Sequence, residues 1–241
     1  MDLARLLSVI DTGALFFPSV ATLSEIDPYE GEPALARIRA AHAQGADELR
    51  KLHLRCEVFK HLNFFNCWHM NDGESDAMWK LYVKGSEGVA IQSTVDRVIF
   101  SFAGCSDTVY IGEVKYVDHA TLTAPTGTPF GFSDYMFKRL AFQHEQEVRL
   151  GTCREDVRVE FFDDAGLLKT PAPGVGAGDV LLSPGRKGVY VSTDVSVLIE
   201  RVVVSPFSPV WFSDLVVSLS KKLGYTFEVV SSEMSRPSAL G

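Results

Sequence analysis

His144-Glu145-Gln146-Glu147-Val148-Arg149-Leu150-Gly151-Thr152 supports two backbone readings, and the choice between them decides the fold around it. As a strand, it sets Glu145, Glu147 and Arg149 on one face at about 6.5 to 7 Å intervals, with Gln146, Val148 and Leu150 on the other. As the end of a helix that begins at Tyr135, it pairs Glu145 with Arg149 at i, i+4 on a solvated surface, a contact worth about 0.3–0.5 kcal/mol. The strand reading carries chemistry. Two carboxylates then meet one guanidinium, so like-charge repulsion raises one carboxyl pKa while Arg149 holds the other ionised, an arrangement suited to ribose hydroxyls or to acid–base work.

Upstream, residues 135–144 have helical character, residues 109–116 alternate like a strand, and the spacing at 95–102 predicts a helix. Residues 63–68, 74–82 and 88–92 read as strand, helix and strand, with the turn Asn71-Asp72-Gly73 opening the helix. Residues 34–60 are rich in Ala, Leu, Arg and Glu and read as helix, broken near Gly45. At the start, Leu3, Leu6, Leu7 and Ile10 recur at helical spacing before Gly13, and Ala14-Leu15-Phe16-Phe17 reads as a strand closed by Pro18. Downstream, 188–191, 199–204 and 227–230 read as strands and 211–223 as an amphipathic helix ended by Gly224. Flexible loops are expected near 121–129 and 171–179. The elements are spaced too irregularly for a doubly wound sheet, so the sequence predicts one α+β domain over 1–241, with mixed or antiparallel sheets flanked by helices.

Composition narrows the function classes. An apolar fraction of 46% over 241 residues suffices for a core without staples. With 23 Lys and Arg against 31 Asp and Glu, the net charge of -8 disfavours broad attraction to phosphate backbones, so nucleic acid is not an expected partner. No apolar run approaches the roughly 18 to 20 residues that cross a bilayer. Met1-Asp2-Leu3-Ala4-Arg5 does not open a secretory signal, and a cytoplasmic protein is expected. Cys56, Cys67, Cys105 and Cys153 form no paired spacing and read as reduced core thiols.

Trp68, His69, Glu74, Met78, Trp79 and Tyr82 make the densest aromatic segment, which reads either as core packing or as a wall against a base or nicotinamide ring. His69 follows a strand into a turn and is the first titratable candidate outside the glutamates. Ser93-Thr94 reads as a helix N-cap or as a substrate contact, and Lys138 and Arg139 as solvated cations or phosphate contacts. Asp27, Glu30 and Asp118, joined to Glu145 and Glu147, would make a divalent-metal nuclease site, but no spacing forces them together. No metal site is expected from Cys67, His69 and His61.

Four phrases in one order resemble the bacterial family known as domain of unknown function 2971. They are Ala14-Leu15-Phe16-Phe17 with Asp27-Pro28-Tyr29-Glu30-Gly31; Asn66-Cys67-Trp68-His69-Met70 with Glu74, residues 78–82 and 88–94; Lys138-Arg139 with Phe142, Glu145, Glu147 and Arg149; and Val204-Ser205-Pro206 with Pro209 and Trp211-Phe212. A more distant pattern is similar to ADP-ribosyltransferases, in which a polar strand residue and a catalytic glutamate on a neighbouring strand hold NAD. That resemblance implies an ADP-ribosyltransferase-like enzyme or NAD-binding relative. Glu147 is then the principal catalytic carboxylate, with Glu145 beside it, and Ser93, Trp68, His69 and Arg149 bind the cofactor NAD. The alternatives are a non-catalytic ligand-binding or protein-interaction domain in stress or phage defence, and a metal-dependent nuclease.

Overall fold

The computed structural model describes residues 1–32, 35–118, 121–122, 132–154, 161–162, 168–169, 181–182 and 187–235. Apart from Thr121 and Leu122, the loops expected near 121–129 and 171–179 lie outside these residues. The chain opens with α1 (Leu3–Thr12), β1 (Ala14–Pro18), α2 (Val20–Ser24), α3 (Leu35–Gln44), α4 (Ala46–Leu62) and β2 (Asn63–His69). There follow α5 (Asp76–Tyr82), β3 (Val89–Gln92), α6 (Val95–Ser101), β4 (Tyr110–Glu113), β5 (Lys115–Val117), β6 (Phe137–Arg139) and β7 (Glu147–Cys153). Three two-residue strands come next, β8 (Phe161–Phe162), β9 (Leu168–Lys169) and β10 (Leu181–Leu182). The rest is β11 (Gly188–Ser192), α7 (Val195–Leu198), β12 (Arg201–Val204), α8 (Val210–Lys222) and β13 (Glu228–Ser231). This is an α+β architecture with mixed sheets, as the irregular spacing predicts. Among the described residues no helix is long and apolar enough to cross a membrane.

The chain divides into two compact units. The first is drawn from Met1–Phe16, Asn71–Asp107 and Tyr190–Gly241, and the second from Phe17–Met70 and Thr108–Val189. In the first unit β12 is the central strand, parallel to β13 and antiparallel to β3. Its run Val202-Val203-Val204 is buried on both faces, which is why it reads as continuous rather than alternating. Trp79 of α5 and Val83 at its C-cap pack on Val203, with Ala90 and Val230 on the flanking strands.

In the second unit β7 lies between β2 and β4 in an antiparallel sheet. The register pairs Phe65 with Gly151, Cys67 with Arg149 and His69 with Glu147, so these six residues share one face. The opposite face carries Phe64, Asn66 and Trp68 beside Thr152, Leu150 and Val148. Val20, Cys56, Phe65 and Tyr135 form the buried core against the first face.

Three expectations need correction. Residues 135–144 are not an α-helix: two 3-10 turns, Phe132–Met136 and Leu140–Glu145, flank β6, which pairs in parallel with β5. The parallel pairing and the side-chain contacts of Lys138 override local helix propensity. The expected strand at 109–116 is two, because Val114 turns its N–H to the Glu147 carbonyl between β4, which pairs with β7, and β5, which pairs with β6. The four cysteines are free thiols, but only Cys56 is a core residue, with Cys67 and Cys153 exposed.

Gly151 is required by packing. A Cβ there would lie 2.2 Å from Phe132 Cζ and 2.5 Å from Phe65 Cε1. Those rings are held together with centroids 5.0 Å apart, and Tyr110 closes on Phe132 from the far side at 5.1 Å. Gly151→Ala is therefore expected to destabilise the chain by about 1–3 kcal/mol, the usual cost of overpacking, read as a lowered urea midpoint at unchanged slope. An unchanged midpoint would show that Phe132 does not cover the glycine.

Candidate functional site

The shared face of β2 and β7 carries a buried charge cluster at its centre. Arg149, 1% exposed, projects from β7 and spends all five of its N–H groups. Nε donates to Glu147 Oε1 at 2.8 Å; Nη2 donates to Glu147 Oε2 at 3.2 Å and to Glu30 Oε2 at 2.9 Å. Nη1 donates to Glu30 Oε1 and, at 2.6 Å, to the Tyr135 carbonyl. The guanidinium is thus forked onto two carboxylates at once and also lies over the Phe65 ring.

Glu30 reaches this arginine because of the turn before it. Asp27 Oδ1 accepts from Tyr29 N and the Asp27 carbonyl accepts from Glu30 N, a local Asx-type turn. Gly31 then adopts φ +75°, and a Cβ there would fall 2.6 Å from Val20 Cγ1. The turn is local chemistry, as the sequence indicates, but it delivers a carboxylate to the centre of the second unit.

Glu145 and Glu147 come together through a backbone kink rather than along one strand. Gln146 is left-handed, at φ 40°, the only described non-glycine residue with positive φ, and β7 begins just after it. Such a conformation costs roughly 1–2 kcal/mol in a non-glycine residue, and here its geometry lets both carboxylates meet the Lys138 ammonium. Lys138 Nζ donates to Glu145 Oε2 and, at 3.2 Å, to Glu147 Oε2, while sitting over the Phe142 ring. Burial alone would raise the Glu147 pKa, but the charge and hydrogen bonds of Arg149, then the charge of Lys138, hold this carboxyl below its ordinary value. Burial likewise opposes charge on Lys138, and Glu147 and Glu145 push its pKa up. Tyr116 completes the shell, its hydroxyl accepting from Glu147 N at 2.7 Å.

His69 closes one end of the cluster. Its Nδ1 is 2.6 Å from the Glu145 carbonyl, which can only accept, so Nδ1 carries the proton. Nε2 is buried, with no hydrogen-bond partner among the described residues.

Of the six residues that the resemblance assigns to catalysis or NAD, Glu145, Glu147, Arg149 and His69 converge here, together with Glu30 and Lys138, which the sequence offered as a metal ligand and a phosphate contact. Two do not. Trp68 points to the opposite face of the sheet, where its Nε1 donates to Asn66 Oδ1 at 2.7 Å. Ser93 belongs to the first unit, where its hydroxyl donates to the Leu198 carbonyl at 2.6 Å, and Thr94 is the N-cap of α6. The carboxylates Asp27 and Glu30, weighed as metal ligands, are engaged by Arg139 and Arg149, and among the described residues no three ligand-type side chains are grouped to hold a metal ion. Glu30 was the residue hardest to place from sequence, since its arginine lies 119 residues away. Its one local signal is the Glu-Gly pair that ends the turn.

No protein-family profile, curated protein or solved structure matches the chain.

Two outcomes follow from the cluster. Arg149→Leu leaves buried carboxylates without their guanidinium and is expected to cost about 3–5 kcal/mol, measured by chemical denaturation; a loss under about 1 kcal/mol would mean the cluster is solvated. The second concerns pH. Because the folded-state pKa of Glu147 is depressed, the unfolded chain takes up this proton first on acidification. Its contribution is complete above the unfolded carboxylate range, near pH 4.3, and is lost as pH falls through the folded value. The stability difference between wild type and Glu147→Gln should therefore shrink from pH 6 to pH 3; a difference that holds constant would contradict the depressed pKa.

Proposed function

We propose that the chain is an NAD-binding protein of ADP-ribosyltransferase-like type, a relative of the uncharacterised bacterial family that its four phrases resemble. The nicotinamide ribose is placed at the His69 end of the charge cluster. The observation that carries this reading is His69 Nε2: the Nδ1 proton is fixed from behind by the Glu145 carbonyl, and among the described residues no donor reaches Nε2. A buried acceptor without a donor is costly, and a ribose hydroxyl supplies the missing hydrogen. Glu147, held ionised beside it, stabilises the positive charge that develops at the anomeric carbon as nicotinamide departs. It does so through its field rather than by contact, because Arg149 and Lys138 occupy its oxygens.

That same engagement favours a second reading, a binding module without turnover. The dinucleotide sits in the same place, Glu147 is a structural anchor, and no glycosidic bond breaks.

Thermal unfolding with NAD and with ADP-ribose tests both. At about 100 times the dissociation constant a ligand of the native state adds roughly 2.7 kcal/mol, a rise of several degrees for a chain of this size. His69→Ala should remain folded and lose that rise. Nicotinamide release that disappears in folded Glu147→Gln supports the enzyme, and a thermal shift without release supports the module. No shift with either nucleotide in folded wild-type protein would overturn both.

A further inference from the structure

The second unit holds another arginine whose environment is the reverse of Arg149's. Arg139, at the end of β6, spends one of its five N–H groups among the described residues: Nη2 donates to Asp27 Oδ1 at 2.6 Å. Its Nε is buried, with no partner among the described residues. The side chain is 35% exposed, against 1% for Arg149.

Nevertheless Arg139 is not a mobile surface cation. Its guanidinium carbon sits 4.5 Å from the Tyr29 ring centroid and 5.2 Å from that of Phe142. Asp27, only 4% exposed, is fixed in turn by accepting from Tyr29 N, so it anchors the guanidinium rather than following it. Two rings and one buried carboxylate therefore hold a planar fork in place while most of its donors remain unspent. Pre-positioned donors lose little freedom on binding, and the spacing of an arginine fork matches two oxygens of a phosphate. Lys138, over the same Phe142 ring, is already committed to Glu145 and Glu147 and is not part of the fork.

We propose that Arg139, clamped by Tyr29, Phe142 and Asp27, is a subsite for a phosphate anion. In the nucleotide reading above, on which this extension rests, it takes the pyrophosphate of the dinucleotide while His69 meets the ribose. The phosphate can equally belong to a free anion, and the two sources are separable by experiment.

Titration calorimetry with inorganic pyrophosphate, NAD, ADP-ribose and adenosine, on wild type, Arg139→Gln and His69→Ala, tests the subsite. Pyrophosphate is expected to bind wild type and His69→Ala alike, and to bind Arg139→Gln at least about tenfold more weakly. ADP-ribose should weaken in both variants, and adenosine should be indifferent to Arg139. If pyrophosphate binds in an Arg139-dependent way while NAD and ADP-ribose do not bind, the subsite stands for a free anion and the NAD reading fails. If NAD binding depends on His69 but pyrophosphate binds neither wild type nor any variant, the NAD reading stands and the subsite fails. Equal pyrophosphate affinity in wild type and Arg139→Gln overturns the subsite directly. Should Arg139→Gln not fold, Tyr29→Leu removes one face of the clamp and leaves the Asp27 pair; unchanged pyrophosphate affinity there would also overturn it.

Discussion

The described part of the second unit depends on one guanidinium. Arg149 stands in the central strand of its sheet, yet its acceptors come from three separate places: the turn holding Glu30, the 3-10 turn at Tyr135, and Glu147 two residues back. A buried cation is tolerable only if every donor is matched. Matching five donors in one plane fixes the positions of all three segments. The flanking residues make room for it, since its neighbours across the sheet are Cys67 and Gly112, both small. The glycines reinforce the same constraint from two sides: Gly31 lets the Glu30 turn close over Val20, and Gly151 lets the Phe132 ring come against the strand.

Much of this was legible in the residues. Alternation through Glu147, Val148 and Arg149 gave the central strand, and the apolar run at Val202 gave the other. What alternation could not provide was the kink: a left-handed Gln146 has no strong sequence signature, so Glu145 looked like the next residue of the same strand. Alternation did contain one warning, because Trp68 and His69 are consecutive on β2 and so cannot line the same face. The partners of Ser93 and Glu30 were beyond reach for a different reason. Each is decided by a partner more than 100 residues away, Leu198 and Arg149, and spacing along the chain does not encode such contacts.

The cluster sorts its members by how fully they are occupied. Arg149 and Glu147 are buried and saturated, and their work is to hold charge in place. Arg139 is rigid with donors to spare. Between them, the kink at Gln146 turns the Glu145 carbonyl onto His69 and leaves the other imidazole nitrogen bare. A strained residue that aims a carbonyl at a histidine is the kind of local cost that a site retains for its geometry. The proposed function therefore rests on a single atom, His69 Nε2.

Nitrogen-15 NMR of the imidazole, with His69 assigned by comparison with His69→Ala, tests that account most directly. The neutral imidazole is expected as the Nδ1–H tautomer, with Nε2 the nitrogen whose resonance moves when ADP-ribose is added. A neutral imidazole protonated on Nε2 in place of Nδ1, or an Nε2 resonance that does not move at saturating ADP-ribose, is the contrary result.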